Sequence, residues 1–192
     1  MEKVSFALIA VILFVMSFTS CSNDTNSNAA NIPEIYSRNI SFGMSEDDVV
    51  AQESDLTFNT DFSRTGVNEE HSVKCIVSNE TVYINSNEAT VSYIFSDNML
   101  TQIEYNMPVI YDKEKIFDTP ATQVYNKQVT DLTNAIGLPT ETNSEDLSTI
   151  NSQISIWNNS TIYIAIYAIQ TTEVISDGEI TDNVCITMTC SK

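Results

Sequence analysis

The side chains that could carry out catalysis are few in this chain of 192 residues. It contains a single histidine, His71, so a serine or cysteine mechanism with a histidine base has one candidate. If His71 and Cys75 lie on one strand they are about 13 Å apart, too far to share a metal ion. The sequence has no nucleophile elbow, phosphate-binding loop or dinucleotide fingerprint. We therefore predict no catalytic residue, no metal ion and no cofactor, and we interpret His71 as a loop residue.

Acidic side chains could also serve a function, either as a catalytic pair of carboxylates or as metal ligands. The chain has 26 Asp and Glu residues against 8 Lys and Arg residues, which gives a net charge of −18. Such a surface repels nucleic acid and anionic lipid headgroups, so we predict no nucleic-acid partner. A glycosidase needs two carboxylates in one cleft, and no pair stands out in the sequence. The densest cluster, Glu46-Asp47-Asp48, follows Ser45, and we interpret it as the start of a helix rather than a metal site.

Cysteines could form a disulfide in an exported chain. Three of them follow Cys21, namely Cys75, Cys185 and Cys190. Cys185 and Cys190 are about 16 Å apart on one predicted strand, beyond the limit of about 7 Å that a disulfide sets between Cα atoms. Alternation places Cys75 and Cys190 on apolar faces, so we expect any bridge between these two, with Cys185 free. The alternative, which we favour, is three reduced thiols that pack as small hydrophobic side chains.

Cys21 stands at the end of a secretion signal. A charged start is followed by apolar and small residues at 4–18 and then by Thr19-Ser20. A cysteine directly after such residues resembles the bacterial lipoprotein signal, in which the cysteine is lipidated and becomes the mature N-terminus. The alternatives are an ordinary cleaved signal and a membrane anchor, although the run is shorter than the roughly 20 residues of a spanning helix. We predict a signal peptide at residues 1–20, a palmitate-type lipid on Cys21, and attachment to the extracytoplasmic face of a bacterial cell membrane.

The rest of the chain divides into a tether and two modules. Residues 22–31 are polar or small and contain nothing that packs a core, so we predict the lipidated cysteine and a flexible tether at residues 21–35. The tether would hold the folded part about 15–20 Å from the membrane on average. A helix followed by strands is predicted twice, as a first α+β module at residues 36–108 and a second at residues 109–192.

In the first module we predict a helix at residues 46–53, a loop at residues 54–71 and then an antiparallel meander. Apolar residues alternate with other residues from position 72 onwards, which is typical of strands with one buried face. On the first of these strands the side chains predicted on that face are Val73, Cys75 and Val77. Hairpin turns are predicted where Asn and Asp residues tolerate positive φ, at Asn85-Ser86-Asn87 and at Asp97-Asn98.

The second module contains the best-bounded helix. Thr119 and Pro120 predict its start, whereas Gly137 and Pro139 predict its end. Its buried face is predicted by a stripe of apolar residues at helical spacing: Tyr125, Val129, Leu132 and Ile136. An acidic loop at residues 141–146 and strands at about 152–157, 160–169 and 179–190 are predicted after it.

Three aromatic residues on the last strands, Trp157, Tyr163 and Tyr167, are candidates for a binding surface, because aromatic side chains are enriched at interface cores. The competing interpretation is that they belong to the packed sheet. We favour the core for Trp157. For the two tyrosines the outcome depends on whether the second face of their strand is covered.

Several short motifs are spread over residues 40–190. They are Phe42-Gly43-Met44-Ser45, Ile136-Gly137-Leu138-Pro139, Trp157, and Tyr93-Ile94-Phe95-Ser96-Asp97-Asn98 followed by Leu100. This set resembles the β-lactamase-inhibitory-protein-like modules, a group that includes small outer-membrane lipoproteins. The first half departs from the pattern because Glu53-Ser54-Asp55 stands where a Gly-x-Pro would follow its helix. The resemblance implies tandem α+β modules with a concave sheet surface that binds a protein, without catalysis. It does not imply inhibition of a β-lactamase, because no inhibitory loop matches.

The sequence thus predicts an α+β fold and a membrane-anchored lipoprotein of the cell envelope that binds or scaffolds a protein and is not an enzyme. The alternative is an exported hydrolase or a solute-binding lipoprotein. A shallow groove on the sheet would favour the first hypothesis, and a deep pocket with converging carboxylates would favour the second.

Overall fold

The computed structural model describes residues 32–59, 73–112, 120–147, 150–171, 174–176 and 179–190. In these residues a large antiparallel sheet is accompanied by few helices, so the fold is mainly strand. The helices are α1 (Glu34–Ser37), α2 (Glu46–Gln52) and α3 (Pro120–Ile136). The strands are β1 (Phe58–Asn59), β2 (Val73–Ser78), β3 (Val82–Ile84), β4 (Asn87–Ser96), β5 (Met99–Asp112), β6 (Glu141–Leu147), β7 (Ile150–Asn158), β8 (Ile162–Thr171), β9 (Val174–Ser176) and β10 (Glu179–Cys190).

The strands of both halves of the chain form one continuous sheet. Its order is β1-β2-β4-β5-β10-β8-β7-β6, with β3 paired to β4 and β9 paired to β10. The halves meet where β5 pairs antiparallel with β10, for example at Tyr105 opposite Ile186. One sheet, rather than two separate layers, therefore organises the described residues.

Helix α2 begins where its sequence predicts. The hydroxyl of Ser45 accepts from the backbone N–H of Asp48 at 3.2 Å, and the Asp48 carboxylate accepts from the backbone N–H of Ser45 at 3.4 Å. This reciprocal capping box satisfies donors that the first helical turn leaves without intrahelical partners. The interpretation of Glu46-Asp47-Asp48 as a helix start is confirmed.

Helix α3 and the hairpins also follow their local signals. Gly137, just past the end of α3, has a φ of +97°, a left-handed conformation that glycine adopts without steric cost. The turns between β3 and β4 and between β4 and β5 each contain two consecutive residues with positive φ, as predicted. These residues are Asn85-Ser86 and Asp97-Asn98.

The core lies between one face of the sheet and the three helices. A row of buried side chains crosses the sheet at Val91, Tyr105, Ile186 and Ile166, which are register partners in adjacent strands. The Tyr105 hydroxyl donates to the backbone oxygen of Tyr36 in α1 at 2.7 Å. On the same face the hydroxyls of Tyr125 in α3 and Ser155 in β7 are 2.7 Å apart. We call this side the helix face.

The buried stripe of α3 is confirmed for Tyr125 and Leu132, but Ile136 is 43% exposed. Ile136 is the last residue of the helix, where the chain leaves the sheet. The packed body also begins early, because Ile32 and Tyr36 are buried in the core cluster although the predicted tether extends to residue 35.

Two predictions in the strands are wrong. Ile76 points to the helix face of β2 and is fully buried, whereas Cys75 and Val77 lie half-buried on the other face. The alternation of apolar and polar residues did not identify the buried face of β2, because Ile76 is as apolar as Cys75 and Val77 on either side of it. The acidic segment predicted as a loop at 141–146 is instead strand β6, which pairs with β7. An edge strand needs only backbone partners on one side, so its exposed acidic side chains do not prevent pairing.

We expect Leu132→Ala to lower the free energy of unfolding by about 2–5 kcal/mol, because Leu132 is fully buried under α3. Urea unfolding of the full chain measures the change. Leu138→Ala is the matched control, since Leu138 is 81% exposed, and it should cost less than about 0.5 kcal/mol. Equal losses in the two variants would contradict the assigned face of α3.

Candidate binding surfaces

The residues that the sequence singled out fall in different places. Cys21 and His71 lie outside the described residues. Trp157 is buried on the helix face, and its indole N–H donates to the backbone oxygen of Gly137 at 2.8 Å. The core interpretation of Trp157 is thereby confirmed. Tyr163 and Tyr167 point to the opposite side of the sheet.

We call that opposite side the open face. The helix-to-sheet hydrogen bonds described above all lie on the helix face, and most side chains of the open face are partly exposed. The centre of the open face is formed by Ser92, Ile94, Gln102, Glu104, Asn106, Ile154, Ile156, Tyr163, Ala165, Tyr167, Cys185 and Thr187. Towards its margins lie Cys75 and Val77 on β2, Glu88 on β4 and Glu141 on β6.

Small side chains lie between larger ones at the centre of the open face around Ala165, and we call this strip the groove. Tyr163 and Tyr167 precede and follow Ala165 on the same face of β8, about 7 Å away on each side. Ala165 is 5% exposed and Cys185, opposite Tyr167, is 7% exposed, so these small side chains form the floor between the larger tyrosines. The groove presents aromatic rings, hydroxyls and apolar atoms to a ligand.

The thiol in the floor of the groove is not an activated nucleophile. Burial raises the pKa of Cys185 to about 12, so the sulfur is protonated and weakly nucleophilic at neutral pH. Burial also raises the pKa of Tyr167. The Cys185 Sγ and Thr187 Oγ1 atoms are 4.0 Å apart. These groups can contact a ligand but do not supply acid–base chemistry near neutral pH.

A second concave region lies at the C-terminal end of α3. We call it the α3 cleft. It has a volume of about 510 Å³, and none of its lining side chains is ionisable. Leu138 is 81% exposed at its rim, beside the partly exposed Ile136. The lining residues are Pro33, Ile136, Leu138, Thr140, Trp157, Asn158, Asn159, Ser160, Thr161 and Ile162.

The sequence did not reveal the role of one buried carboxylate, Glu53. Its residue is only 2% exposed, and both carboxylate oxygens accept hydrogen bonds from the guanidinium of Arg38, at 2.9 Å from Nε and 2.7 Å from Nη2. The Tyr93 hydroxyl donates to Glu53 as well. The pKa of Arg38 is raised, mainly because its guanidinium donates these two hydrogen bonds to Glu53. The cluster joins the segment after α1 to the end of α2 and to β4, so its role is structural.

The Cys75–Cys190 bridge, the less favoured of the two alternatives, does not form. Cys75 and Cys185 are free thiols. Cys75 lies on β2 on the open face, whereas Cys190 follows the parity of the helix face on β10, three strand positions away. Three spacings between strands amount to about 14 Å, twice the limit for a disulfide.

In the described ranges no three His, Cys, Asp or Glu side chains come together as a metal site. None of the helices in those ranges is long and apolar enough to cross a membrane.

Comparison of the chain with family models, curated proteins and solved structures gave no match. Its function is therefore argued from its own residues and geometry.

We expect Glu53→Ala to destabilise the protein by about 1.5–3 kcal/mol, because it leaves the Arg38 guanidinium and the Tyr93 hydroxyl without their shared acceptor. Urea unfolding checks this value. Glu88→Ala is the control, because Glu88 is exposed and accepts from the exposed Tyr83, and it should change stability by less than about 0.5 kcal/mol. A loss at Glu53 no larger than at Glu88 would rule out the structural role.

Proposed function

We propose that this chain is an extracytoplasmic bacterial lipoprotein, anchored through Cys21, whose folded body binds a protein partner and is not an enzyme. The anchor is supported by the apolar run at residues 4–18 and the small residues that precede Cys21. The polar residues at 22–31 would then connect the lipid to the packed body that begins at Ile32.

The observation that carries the binding role is the composition of the open face. The chain as a whole has 26 acidic residues, and Glu104 is the single Asp or Glu at the centre of the open face. Its carboxylate accepts from the Gln102 amide at 2.6 Å. Glu88 on β4 and Glu141 on the edge strand β6 lie on the same face towards its margins. Burial raises the pKa of Tyr163, and the nearby charge of Glu141 contributes to the rise. Protein interfaces are depleted of charge at their centre and enriched in tyrosine. The groove between Tyr163 and Tyr167 fits that description.

We further propose that the body consists of two related α+β modules, as the resemblance to β-lactamase-inhibitory-protein-like modules implies. The support is the order of the strands. From the centre outward one half runs β5-β4-β2 and the other runs β10-β8-β7. The last long strands of the two halves pair antiparallel. Such an arrangement is what an approximate twofold axis between β5 and β10 would produce.

The alternative, an exported hydrolase or solute-binding lipoprotein, would use a cavity. The α3 cleft is large enough for a small molecule, but hydrolysis by paired carboxylates needs acids in the lining, and the cleft has none. The groove and the cleft therefore support recognition better than catalysis.

Replacing Cys21 tests the anchor. We expect Cys21→Ser to release the protein from membranes of the producing bacterium or to leave the signal uncut. Cys75→Ser, which changes a free thiol of the body, should remain membrane-bound. Membrane fractionation with immunoblotting measures both. A processed Cys21→Ser protein that stays on the membrane would refute lipidation.

The pairing of Cys190 gives a second test of the same proposal. The chain has four cysteines, and two of them are free thiols, so a disulfide of Cys190 within one chain would need Cys21. A lipid attached through the sulfur of Cys21 excludes that bond. Non-reducing peptide mass mapping of membrane-extracted protein should find the lipid on Cys21. A Cys21–Cys190 peptide would contradict the proposal.

Site-specific photocrosslinking in cells tests the open face. We expect a photoreactive side chain at Asn106, which is exposed on the open face, to give a discrete adduct with one protein. The same side chain at Gln123, which is exposed on α3, should not give this adduct. Gel mobility and mass spectrometry identify the products. Identical patterns from the two positions, or none from Asn106, would contradict a partner on the open face.

A further inference from the structure

The α3 cleft combines exposed apolar side chains with a lack of charge. Leu138 is 81% exposed and Ile136 is 43% exposed. These are two of the four large hydrophobic residues that the structure describes as exposed, and both line the cleft. No lining side chain is ionisable, in a chain whose net charge is −18. The other exposed lining residues are polar and uncharged, at Thr140, Asn158, Asn159 and Ser160. Two apolar side chains beside uncharged polar ones fit the interfacial region of a bilayer, where apolar and polar groups meet.

The chain enters its packed body at this same place. Pro33 lines the α3 cleft, and eleven residues of chain separate it from Cys21. A flexible segment of that length has an average span of about 20 Å. If Cys21 carries a lipid, the cleft thus lies on average about 20 Å from the lipid anchor. Surfaces of the body farther from Pro33 lie farther from the anchor.

We propose that the α3 cleft is the membrane-facing surface of the protein, and that Leu138, with Ile136 beside it, enters the interfacial region of the bilayer that holds the anchor. This inference rests on the proposed lipid anchor and adds an orientation to it. The contact is selective for uncharged lipid, because a net charge of −18 is repelled by anionic headgroups.

The molecule carries its own reporter for this contact. Trp157 is the single tryptophan of the chain, and it lines the cleft behind Leu138. The lipidated full chain, purified from producing cells, is incorporated into vesicles of zwitterionic phosphatidylcholine with nitroxide groups near the headgroup end of the acyl chains. We expect the fluorescence of Trp157 to be quenched in these vesicles relative to unlabelled ones.

Two variants distinguish insertion of the α3 cleft into the bilayer from quenching that arises only because the anchor holds Trp157 near the membrane. Leu138→Asn should lose about half or more of the quenching, because the apolar side chain that enters the bilayer is gone. Since Leu138 is 81% exposed, the fold is expected to tolerate this change. Tyr83→Asn is the matched control, as Tyr83 is 65% exposed and is not among the cleft residues. It should be quenched like the wild type.

Vesicle flotation distinguishes the possible failures. Protein that does not float with the vesicles lacks the anchor, and then the proposed lipoprotein function fails together with this inference. Protein that floats but shows no quenching, or shows the same quenching in Leu138→Asn as in Tyr83→Asn, keeps the anchor and overturns the docking of the α3 cleft.

Discussion

Strands β5 and β10 pair at eleven consecutive positions, from Glu179 opposite Asp112 to Thr189 opposite Gln102. This pairing joins the halves of the chain and leaves neither of them with a long open edge at the centre. The register of this pairing also determines which side chains are neighbours on each face of the sheet. Tyr105 lies opposite Ile186 in the core, and Glu104 lies opposite Thr187 on the open face. Because β10 is the last strand in sequence, this central contact is non-local and is completed only when the end of the chain is available.

Features that depend on neighbouring residues could be predicted from the sequence. The capping box of Ser45 and Asp48, the turn at Asn85-Ser86 and the left-handed Gly137 each arise from interactions within a few residues. The burial of Leu132 follows from helical spacing alone. Such signals fix the kind and limits of an element. They do not fix which strands become neighbours in the sheet.

The features that could not be predicted depend on strand order and on distant contacts. Cys75, Ile76 and Val77 are three consecutive apolar residues, so the sequence does not show which face of β2 is buried. The pairing of Ile76 with the buried Tyr93 determines it in the structure. The cysteine pairing failed because β4 and β5 lie between Cys75 and the strand of Cys190. Of the candidate surfaces, the sequence supplied Tyr163 and Tyr167. The α3 cleft was hidden because Pro33 reaches Leu138 only through folding, across more than a hundred residues.

Tyr36 gives the molecule a defined mechanical attachment near its N-terminal end. The ring is fully buried, its hydroxyl donates to Gln128 of α3 at 3.0 Å, and its backbone oxygen accepts from Tyr105 of β5. Tension applied through the preceding chain therefore passes through the buried Ile32 and Pro33 to a side chain that is held between a helix and the central sheet. Because α3 belongs to the second half and β5 to the first, contacts in both halves resist this force. Helix α1 therefore cannot separate from the body without breaking contacts to the central sheet.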